Sequence, residues 1–222
     1  MGRIIVVEGT DGSGKQTQTN VLLNALKERG YSVKKQSFPN YESQSAAPVK
    51  MYLSGELCEN AKDIDAYQSS ALFAVDRLCT MLKYKEFLED GGILVLDRYV
   101  QSNMTHQAGK IKDKKERDNF LKWLDEFEFE TLKLPRPDLV LFLDVPVEVS
   151  QKLANTRHGL KNGEKKDIHE SDKTHLTDAY NAAKYVSKKF GWSEINCIDK
   201  EGNLKSIQEI HNLILNEVNK LF

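Results

Sequence analysis

Short apolar runs alternate with longer amphipathic stretches along most of this chain. The runs with the pattern of β-strands are Arg3–Glu8, Tyr31–Phe38, Ile93–Asp97, Leu139–Asp144 and Glu194–Asp199. The stretches with helical spacing of apolar residues are Lys15–Arg29, Ser45–Leu53, Ala66–Glu89, Lys114–Phe129, Val147–Asn155, His169–Phe190 and Lys205–Leu221. This alternation predicts an α/β fold, with a five-stranded parallel sheet and helices on both faces.

The segments Ile93–Leu96 and Leu139–Leu143 are apolar throughout, which is typical of strands at the centre of a parallel sheet. By contrast, the stretch Asn155–Asp167 contains almost no apolar residues. Its basic residues are Arg157, His158, Lys161, Lys165 and Lys166. This stretch is either a solvated loop or a lid that closes cations over transferring phosphates. We expect residues 1–222 to form one domain with a flexible lid near 155–167.

Composition narrows the function only slightly. The formal net charge is −1, so a nucleic-acid binder that relies on bulk positive charge is not expected. The start of the chain has no signal-peptide pattern, and no apolar run approaches the roughly 18 residues of a membrane span. Cys58, Cys79 and Cys197 are scattered without metal-ligand spacing and read as reduced thiols. We expect a cytoplasmic protein with no nucleic-acid or membrane partner.

The segment from Gly9 to Thr17 follows the first apolar run and opens a helix. Gly9, Gly14 and Lys15 have the spacing of a phosphate-binding loop, G-x-x-x-x-G-K. The glycines let backbone N–H groups converge on a phosphate, the helix N-terminus is positive, and the lysine reaches the outer phosphates. A dinucleotide-binding fingerprint fits less well, since Thr17 stands where its third glycine belongs. The expected nucleotide-binding residues are Gly9, Thr10, Asp11, Gly12, Ser13, Gly14, Lys15, Gln16 and Thr17.

Two further groups of residues have the chemistry of a ligand site. The triplet Asp97-Arg98-Tyr99 follows the third strand, at the sheet edge where ligands bind in such folds. It offers a carboxylate, a bidentate phosphate donor and a ring, although a strand-end salt bridge beside a core tyrosine has the same pattern. Phe73 and Arg77 lie four apart and share a helix face. They suit a planar base, but on spacing alone a core phenylalanine with a surface arginine is the more common arrangement.

Together these motifs resemble those of thymidylate kinases over nearly the whole chain. The matching segments are Val7–Lys15, Phe38-Pro39, Leu72–Arg77, Asp97-Arg98-Tyr99 with Ser102-Asn103, and Arg136–Leu139 continuing to Leu143-Asp144-Val145. One such motif is weak, but five in the right order are specific. The resemblance implies a P-loop nucleotide-kinase fold, usually a homodimer, and transfer of the ATP γ-phosphate to dTMP with Mg²⁺.

The resemblance also implies catalytic roles. Lys15 matches the phosphate-binding lysine of the family. Asp11 matches the loop carboxylate that contacts the 3′-hydroxyl side of the dTMP sugar and helps order the metal. Arg98 matches the arginine that holds the monophosphate near the γ-phosphate. The expected catalytic residues are therefore Asp11, Lys15 and Arg98, and the candidate metal ligands are Asp11 and Asp97.

On the acceptor side the resemblance assigns the base pocket. Phe73 matches the thymine-stacking ring, Arg77 the donor to the base, and Asn103 a base-edge contact seen in bacterial members. Tyr99 resembles the aromatic residue under the sugar. The remaining residues expected beside the acceptor are Phe38, Tyr41 and His106. The last of these stands where bacterial members often have a tyrosine that favours the deoxy sugar.

The chain departs from the family pattern at three places. Gln16 replaces the usual metal-binding hydroxyl residue. The segment Gln36–Tyr41 lacks the arginine that many members place beside Phe-Pro, so acceptor phosphate binding relies more on Arg98, with Tyr41 as a candidate. Gly12 stands where some members carry an arginine. The candidate cations for that task come from the lid and are Arg157, Lys161, Lys165 and Lys166.

Three other functions remain open at the level of sequence. The nearest is another nucleoside or nucleotide kinase with the same loop. A nucleotide-binding regulator that has lost turnover is suggested by Gln16 and the lysine-rich lid. A P-loop switch or motor has least support, because the chain has no second nucleotide-dependent module and Phe73 and Arg77 would have no task. Release of ADP from MgATP with a panel of monophosphate acceptors separates these functions.

Overall fold

The computed structural model describes residues 2–58, 60, 63–158 and 173–222, with side chains described for 2–58, 60, 63–153 and 176–222. The predicted lid residues Lys161, Lys165 and Lys166 lie outside these ranges. The backbone at Arg157 continues a helix, so the first residues of the predicted lid belong to that helix end.

Five parallel strands form one sheet, as the sequence predicts, and the structure gives their order as β2-β3-β1-β4-β5. The strands are β1 (Arg3–Gly9), β2 (Val33–Ser37), β3 (Ile93–Asp97), β4 (Leu139–Asp144) and β5 (Ser193–Asn196). The central strand β1 pairs with β3 and β4, with Val7 opposite Asp97 and Gly9 opposite Leu143. The loop after β1 and the chain after β3 therefore leave the sheet at the same edge.

The α-helices of the described residues are α1 (Lys15–Glu28), α2 (Ala47–Leu53), α3 (Ala66–Met81), α4 (Lys85–Glu89), α5 (Val100–His106), α6 (Lys114–Asp125), α7 (Val147–His158), α8 (Lys173–Phe190) and α9 (Ile207–Val218). Short 3₁₀ turns lie at Gln44–Ala46, Leu82–Tyr84, Ala108–Lys110 and Asn219–Leu221, and a π-helical turn at Glu126–Thr131. In the part of the chain that the structure describes, no helix is both long and apolar enough to cross a lipid bilayer.

The sheet has a hydrophobic core on each face. Ile4 and Val6 of β1 belong to a core shared with α6 and α8, whereas the alternate residues Ile5 and Val7 pack with α1 and α9. Because successive side chains of a strand point to opposite faces, an apolar strand such as β1 serves both cores. The prediction of helices on both faces of the sheet is confirmed.

The structure corrects the sequence analysis most clearly at α5, where no helix was predicted. This helix carries few apolar residues, yet most of it is buried. Its buried polar side chains are Gln101, Asn103, Thr105 and His106. An apolar periodicity cannot reveal a helix whose inner face is polar. Such a face is what a ligand site requires.

Two predicted helices continue in altered form. The predicted helix Ala66–Glu89 is interrupted after Met81 by the 3₁₀ turn, where the Tyr84 hydroxyl donates to Gln36 Oε1 at 2.9 Å. The predicted helix Lys114–Phe129 ends as an α-helix at Asp125 and continues as the π turn. A π turn inserts extra backbone into a helix and is found frequently at functional sites. Here the π turn places Glu128 in the interior, where its side chain has no exposed surface.

The edge strands are shorter than predicted. β2 begins at Val33, and Tyr31 instead packs its ring 4.7 Å from that of Phe222. β5 ends at Asn196, because the chain then turns at Asp199, whose carboxylate accepts the Asn203 backbone N–H at 2.8 Å. Local side-chain bonds of this kind compete with strand pairing.

Candidate active site

The loop between β1 and α1 has the geometry of a phosphate site. A Cβ on Gly9 would lie 2.6 Å from Ser13 Oγ and 3.1 Å from the Leu143 carbonyl oxygen, so only glycine fits there. Gly14 precedes α1 with φ of 88°, in the left-handed region that favours glycine. The first N–H groups of a helix have no intrahelical partner. The loop therefore presents backbone donors and a helix N-terminus, which together suit an anion.

Lys15 lies across this loop. Its ammonium donates to the carbonyl oxygens of Gly9 at 2.9 Å and Thr10 at 2.8 Å, and lies 3.8 Å from Asp11 Oδ1. Burial, with the charge of Arg98, lowers the pKa of Lys15 from its ordinary value. The lysine is thus within reach of the concave side of the loop, as the motif predicts.

Two hydroxyl groups of the loop point to a ligand. The side-chain oxygens of Thr10 and Ser13 are buried and have no hydrogen-bond partner among the described residues. A buried polar atom without a partner is costly and calls for an explanation. Two of them in a loop rich in backbone donors fit a polyphosphate. Gln16 is exposed and lines the adjoining cleft.

Arg98 leaves β3 in a strained conformation, with φ of 70°. One terminal nitrogen, Nη2, donates to the Asp11 carboxylate. The other, Nη1, donates to Ser102 Oγ at 3.3 Å and lies 3.1 Å from His106 Nε2. The Arg98 side chain nevertheless keeps 19% of its surface exposed. The guanidinium therefore faces the cleft with partners that a phosphate can replace.

Glu8 is a site residue that the sequence analysis missed. Its carboxylate is buried, accepts from Ser102 Oγ at 2.9 and 3.0 Å, and lies 3.8 Å from Arg98 Nη1. Burial raises the pKa of Glu8, and the charges of Arg98 and Lys15 oppose that rise. For Arg98 burial disfavours the charged form, but the carboxylates of Asp11 and Glu8 outweigh it and raise the pKa. The available signal was an acidic residue inside an otherwise apolar strand.

A cleft of about 350 Å³ opens beside Arg98. Its walls come from the end of the phosphate loop, the β2–α2 connection, α3 and α5. All the residues expected on the acceptor side line this cleft, namely Asp11, Phe38, Tyr41, Phe73, Arg77, Arg98, Tyr99, Asn103 and His106. The structure thus gathers in one place residues that the sequence spreads over almost a hundred positions, and their contact with a nucleotide stays a prediction.

Among the described residues, four aromatic side chains line the cleft, namely Phe38, Tyr41, Phe73 and Tyr99. Phe73 is half-buried, and its ring meets Tyr52 edge-on with centroids 6.1 Å apart. Phe38 and Tyr99 are buried with ring centroids 5.7 Å apart, while Tyr41 lies half exposed. The Tyr99 hydroxyl donates to the Pro135 carbonyl oxygen at 3.1 Å, and burial raises its pKa. Tyr99 is therefore a core residue as well as a wall of the cleft.

Arg77 is not the surface arginine that its spacing also allowed. It is 2% exposed, and Glu128 accepts from its Nε at 2.6 Å and its Nη2 at 2.5 Å. Glu128 also accepts from Asn103 Nδ2 at 3.2 Å. The sequence analysis assigned no chemistry to the stretch that contains Glu128, because the apolar spacing around Trp123 indicated only a packed helix.

Asp76 is a third missed residue, and it holds the β2–α2 connection in place. Its Oδ2 accepts the Asn40 backbone N–H and its Oδ1 accepts from Ser45 Oγ, both at 2.7 Å. This connection contains the Phe38-Pro39 pair, joined by a cis peptide bond. Asp76 therefore positions one wall of the cleft against α3.

The two candidate metal ligands differ in their surroundings. The Asp11 carboxylate is engaged by Arg98, whereas Asp97 lines the cleft and its carboxylate makes no hydrogen bond or ion pair with the described residues. Within the described ranges, no three His, Cys, Asp or Glu side chains gather in a way that would hold a metal ion. A divalent cation at this site thus needs further oxygen ligands, such as those of a nucleotide.

Comparison with known proteins agrees with this geometry. The family model for thymidylate kinase matches residues 7–194. The thymidylate kinase of Mycobacterium tuberculosis (strain ATCC 25618 / H37Rv) is 31% identical over 170 residues, which are 76% of this chain and 78% of that protein. The thymidylate kinase of Plasmodium falciparum (isolate 3D7) is 30% identical over 220 residues, 99% of this chain and 91% of that one.

Solved structures match the fold. The thymidylate kinase of Candida albicans superposes with a TM-score of 0.70 at 21% identity, covering 99% of this chain and 92% of that one. That of Ehrlichia chaffeensis gives a TM-score of 0.65 at 19% identity, covering 98% of both chains. The P-loop nucleotide-kinase fold expected from the sequence is thereby confirmed.

Proposed function

The chain belongs to the thymidylate kinase family, and from that premise we propose that it transfers the γ-phosphoryl group of ATP to the phosphate of dTMP, forming dTDP. The observation that carries the proposal is the position of Arg98. It contacts Asp11 of the phosphate loop and lines the same cleft as Phe73 and Arg77. A donor on the loop and an acceptor in the cleft meet at this arginine.

The donor side binds phosphate through the backbone. Three kinds of group converge at the loop between β1 and α1: the N-terminus of α1, the hydroxyls of Thr10 and Ser13, and the Lys15 ammonium. These groups fit the β- and γ-phosphates of ATP. They neutralise charge and set the direction of the outer phosphate, which is most of what such an enzyme contributes.

The transfer itself requires positioning more than acid–base chemistry. Attack by an acceptor phosphate oxygen on the γ-phosphorus forms one P–O bond while the bond to the β-phosphate oxygen breaks, leaving ADP. The acceptor phosphate needs no strong general base. Arg98 holds the acceptor phosphate against the transferred group. Its ion pairs with Asp11 and Glu8 keep it oriented before substrate arrives.

The acceptor side selects the base and the sugar. Phe73 stacks on the base, Arg77 and Asn103 contact its edge, and Asp11 lies toward the sugar. These roles follow the family pattern, and the common lining of one cleft supports them. His106 lies 3.1 Å from Arg98 Nη1, which supports a place beside the phosphate end of the acceptor.

We further propose Mg²⁺ as the cofactor. Asp97 fits as its protein ligand, because this carboxylate lines the cleft beside the loop and is not used in an ion pair within the described residues. Mg²⁺ favours octahedral oxygen coordination and keeps several waters, so phosphates and water complete the shell. The ion neutralises phosphate charge. The lid cations Arg157, Lys161, Lys165 and Lys166 remain part of the proposal as further partners of the transferred group.

A homodimer is the oligomeric state that we propose. Ala71, Val75, Leu78 and Cys79 of α3, with Leu82 of the 3₁₀ turn that follows, form an apolar stripe at helical spacing. Val75 is 48% exposed and Leu82 65% exposed. Exposed apolar residues grouped on one face, here Val75, Cys79 and Leu82, are typical of a protein–protein surface. Sedimentation of wild type and of Val75→Glu/Leu82→Glu tests it: we expect a dimer and a monomer, respectively, and a monomeric wild type refutes it.

One assay tests the proposed function. ADP release from MgATP is measured with dTMP, dUMP, dCMP, dAMP and dGMP, and dTMP is expected to give the highest kcat/KM. A purine monophosphate as best acceptor would refute the thymidylate assignment and leave the fold intact. ATP binding without turnover on any acceptor would favour a nucleotide-binding regulator.

A further inference from the structure

Glu128 touches two residues of the cleft without lining the cleft itself. It sits on the π turn after α6 and is fully buried. Its carboxylate accepts from Arg77 on α3 and from Asn103 on α5. Both of those residues line the cleft, as does Phe73. A single buried carboxylate thus connects the two polar side chains at the base end.

The contact with Glu128 determines which part of Arg77 is available. A guanidinium has five N–H donors. Glu128 takes one from Nε and one from Nη2, and the Tyr99 carbonyl oxygen lies 3.4 Å from Nη1. Two N–H groups remain at the outer end of the guanidinium. Because the side chain is 2% exposed, this end has a fixed direction.

The orientation of the Asn103 amide follows from its neighbours. Asn103 Nδ2 lies 3.2 Å from the Ser70 carbonyl oxygen and 3.2 Å from Glu128 Oε1. Both of these oxygens only accept, so the nitrogen and not the oxygen must face them. Both amide hydrogens are then used within the protein. What Asn103 offers to the cleft is its Oδ1, an acceptor.

The cleft therefore presents donors from Arg77 beside an acceptor from Asn103. Thymine carries the complementary pair, an O4 acceptor next to the N3–H donor. Cytosine has the reverse pair, because its 4-amino group donates and its N3 accepts. We propose that Glu128 is the positioning residue by which the cleft accepts thymine and rejects cytosine, since it orients both the Arg77 guanidinium and the Asn103 amide.

The chemistry of a carboxylate is essential to this role. A glutamine of nearly the same shape presents one donor and one acceptor. In Glu128→Gln one of the two oxygens becomes an amide nitrogen that faces a donor of Arg77 or Asn103, so one of these side chains loses its acceptor and the pair is no longer held in one orientation. A site built to hydrogen-bond one partner rejects a mismatched one by up to about 10⁴–10⁵-fold. Losing the fixed orientation removes part of that discrimination.

The test compares dTMP with 5-methyl-dCMP, which keeps the methyl group and changes only the base edge. The inference rests on the proposed function, so wild type must first phosphorylate dTMP. We expect wild type to favour dTMP by at least about 10³ in kcat/KM. Glu128→Gln lowers this ratio at least tenfold, through KM of the acceptor, with KM for ATP unchanged. Leu124→Val, a core change on α6, lowers stability while the ratio stays as in wild type.

A wild type that does not use dTMP overturns the proposed function. A folded Glu128→Gln enzyme whose ratio equals that of wild type overturns the role of Glu128 alone. A measurement on wild type covers the case in which the variant does not fold. The side-chain amide signals of Asn103, assigned by their loss in Asn103→Ser, are expected to exchange slowly with water and to keep their shifts when dTMP binds. Rapid exchange would show that the amide nitrogen faces the cleft and would refute the inference.

Discussion

Each end of the cleft depends on an arginine held by carboxylates, but the two arginines are held differently. Arg98, at the phosphate end, has several partners, a strained backbone and a side chain with 19% of its surface exposed. Arg77, at the base end, is clamped by both oxygens of Glu128 and is 2% exposed. An arginine that neutralises an incoming phosphate needs partners it can exchange. An arginine that reads a base needs one fixed direction.

The largest expected effect lies at the phosphate end. Arg98→Ala and Lys15→Ala should each reduce kcat by about 10³–10⁵-fold, because a cation that contacts the transferring phosphoryl group can raise the rate by that factor. Arg98→Lys should recover only part of the loss, since lysine is a point charge without the fork. Steady-state ADP release measures all three.

Arg136→Ala is the matched control, because Arg136 pairs with Asp125 and Glu130 at the surface. Its turnover should equal that of wild type. Near-normal rates in a folded Arg98→Ala or Lys15→Ala enzyme would contradict the division of labour between the two ends.

A smaller and more specific effect is expected at the base end. Phe73→Ala removes the ring that stacks on the base, and aromatic–base stacking is worth roughly 1–3 kcal/mol. We expect dTMP binding to weaken accordingly while ATP binding is unchanged, as measured by isothermal titration calorimetry. Phe222→Ala, which removes an exposed ring that packs on Tyr31 and does not line the cleft, is the control. Unchanged dTMP affinity with a lowered Tm would make Phe73 a core residue only.

We expect Mg²⁺-dependent turnover to tolerate substitution of Gln16. The side chain is exposed, and Mg²⁺ is readily held by phosphates, water and a carboxylate such as Asp97. Turnover should require Mg²⁺, and Gln16→Ser should lower or leave unchanged the Mg²⁺ concentration for half-maximal rate. Gln16→Ala should reduce turnover much less than Lys15→Ala does. Complete inactivity of both Gln16 variants in a Mg²⁺ titration would show that the glutamine is an essential ligand.

The smallest effect concerns the wall behind Phe73. Lys110 Nζ donates to the Tyr52 hydroxyl and the Ile64 carbonyl oxygen, both at 3.0 Å, and burial lowers its pKa to about 8. An unfolded lysine titrates near about 10.4. Between these values the unfolded chain binds more protons, so Lys110 makes the free energy of unfolding rise with pH in that window.

Urea denaturation at pH 7, 8, 9 and 10 measures this slope. Relative to Lys110→Met, wild type should gain stability from pH 8 to 10, and below pH 8 the difference between the two should stay constant. Lys83→Met, at an exposed lysine, should run parallel to wild type. Parallel curves for wild type and Lys110→Met would show that this ammonium is not affected by burial.

The phosphate end was largely predictable because its parts are contiguous. Gly9, Gly14 and Lys15 act through backbone geometry and a helix N-terminus, which depend on spacing within one short segment. Phe73 and Arg77 were found by their helical spacing and the family pattern. Glu8, Asp76 and Glu128 were missed, because each acts by contacting a residue distant in sequence. Glu128, for example, lies 51 positions from Arg77.

Sequence alone determined the parallel sheet with helices on both faces, the phosphate loop at its edge, and many of the residues that line the cleft. These features depend on periodicity, spacing and local backbone conformation, which neighbouring residues set. Only the tertiary structure decided that α5 is a helix, that a π turn follows α6, and that Glu128 meets Arg77 and Asn103. A buried carboxylate is stable only where donors from other elements surround it, and that condition is met or not by packing. The sequence around Glu128 would look the same whether or not the packing supplied those donors.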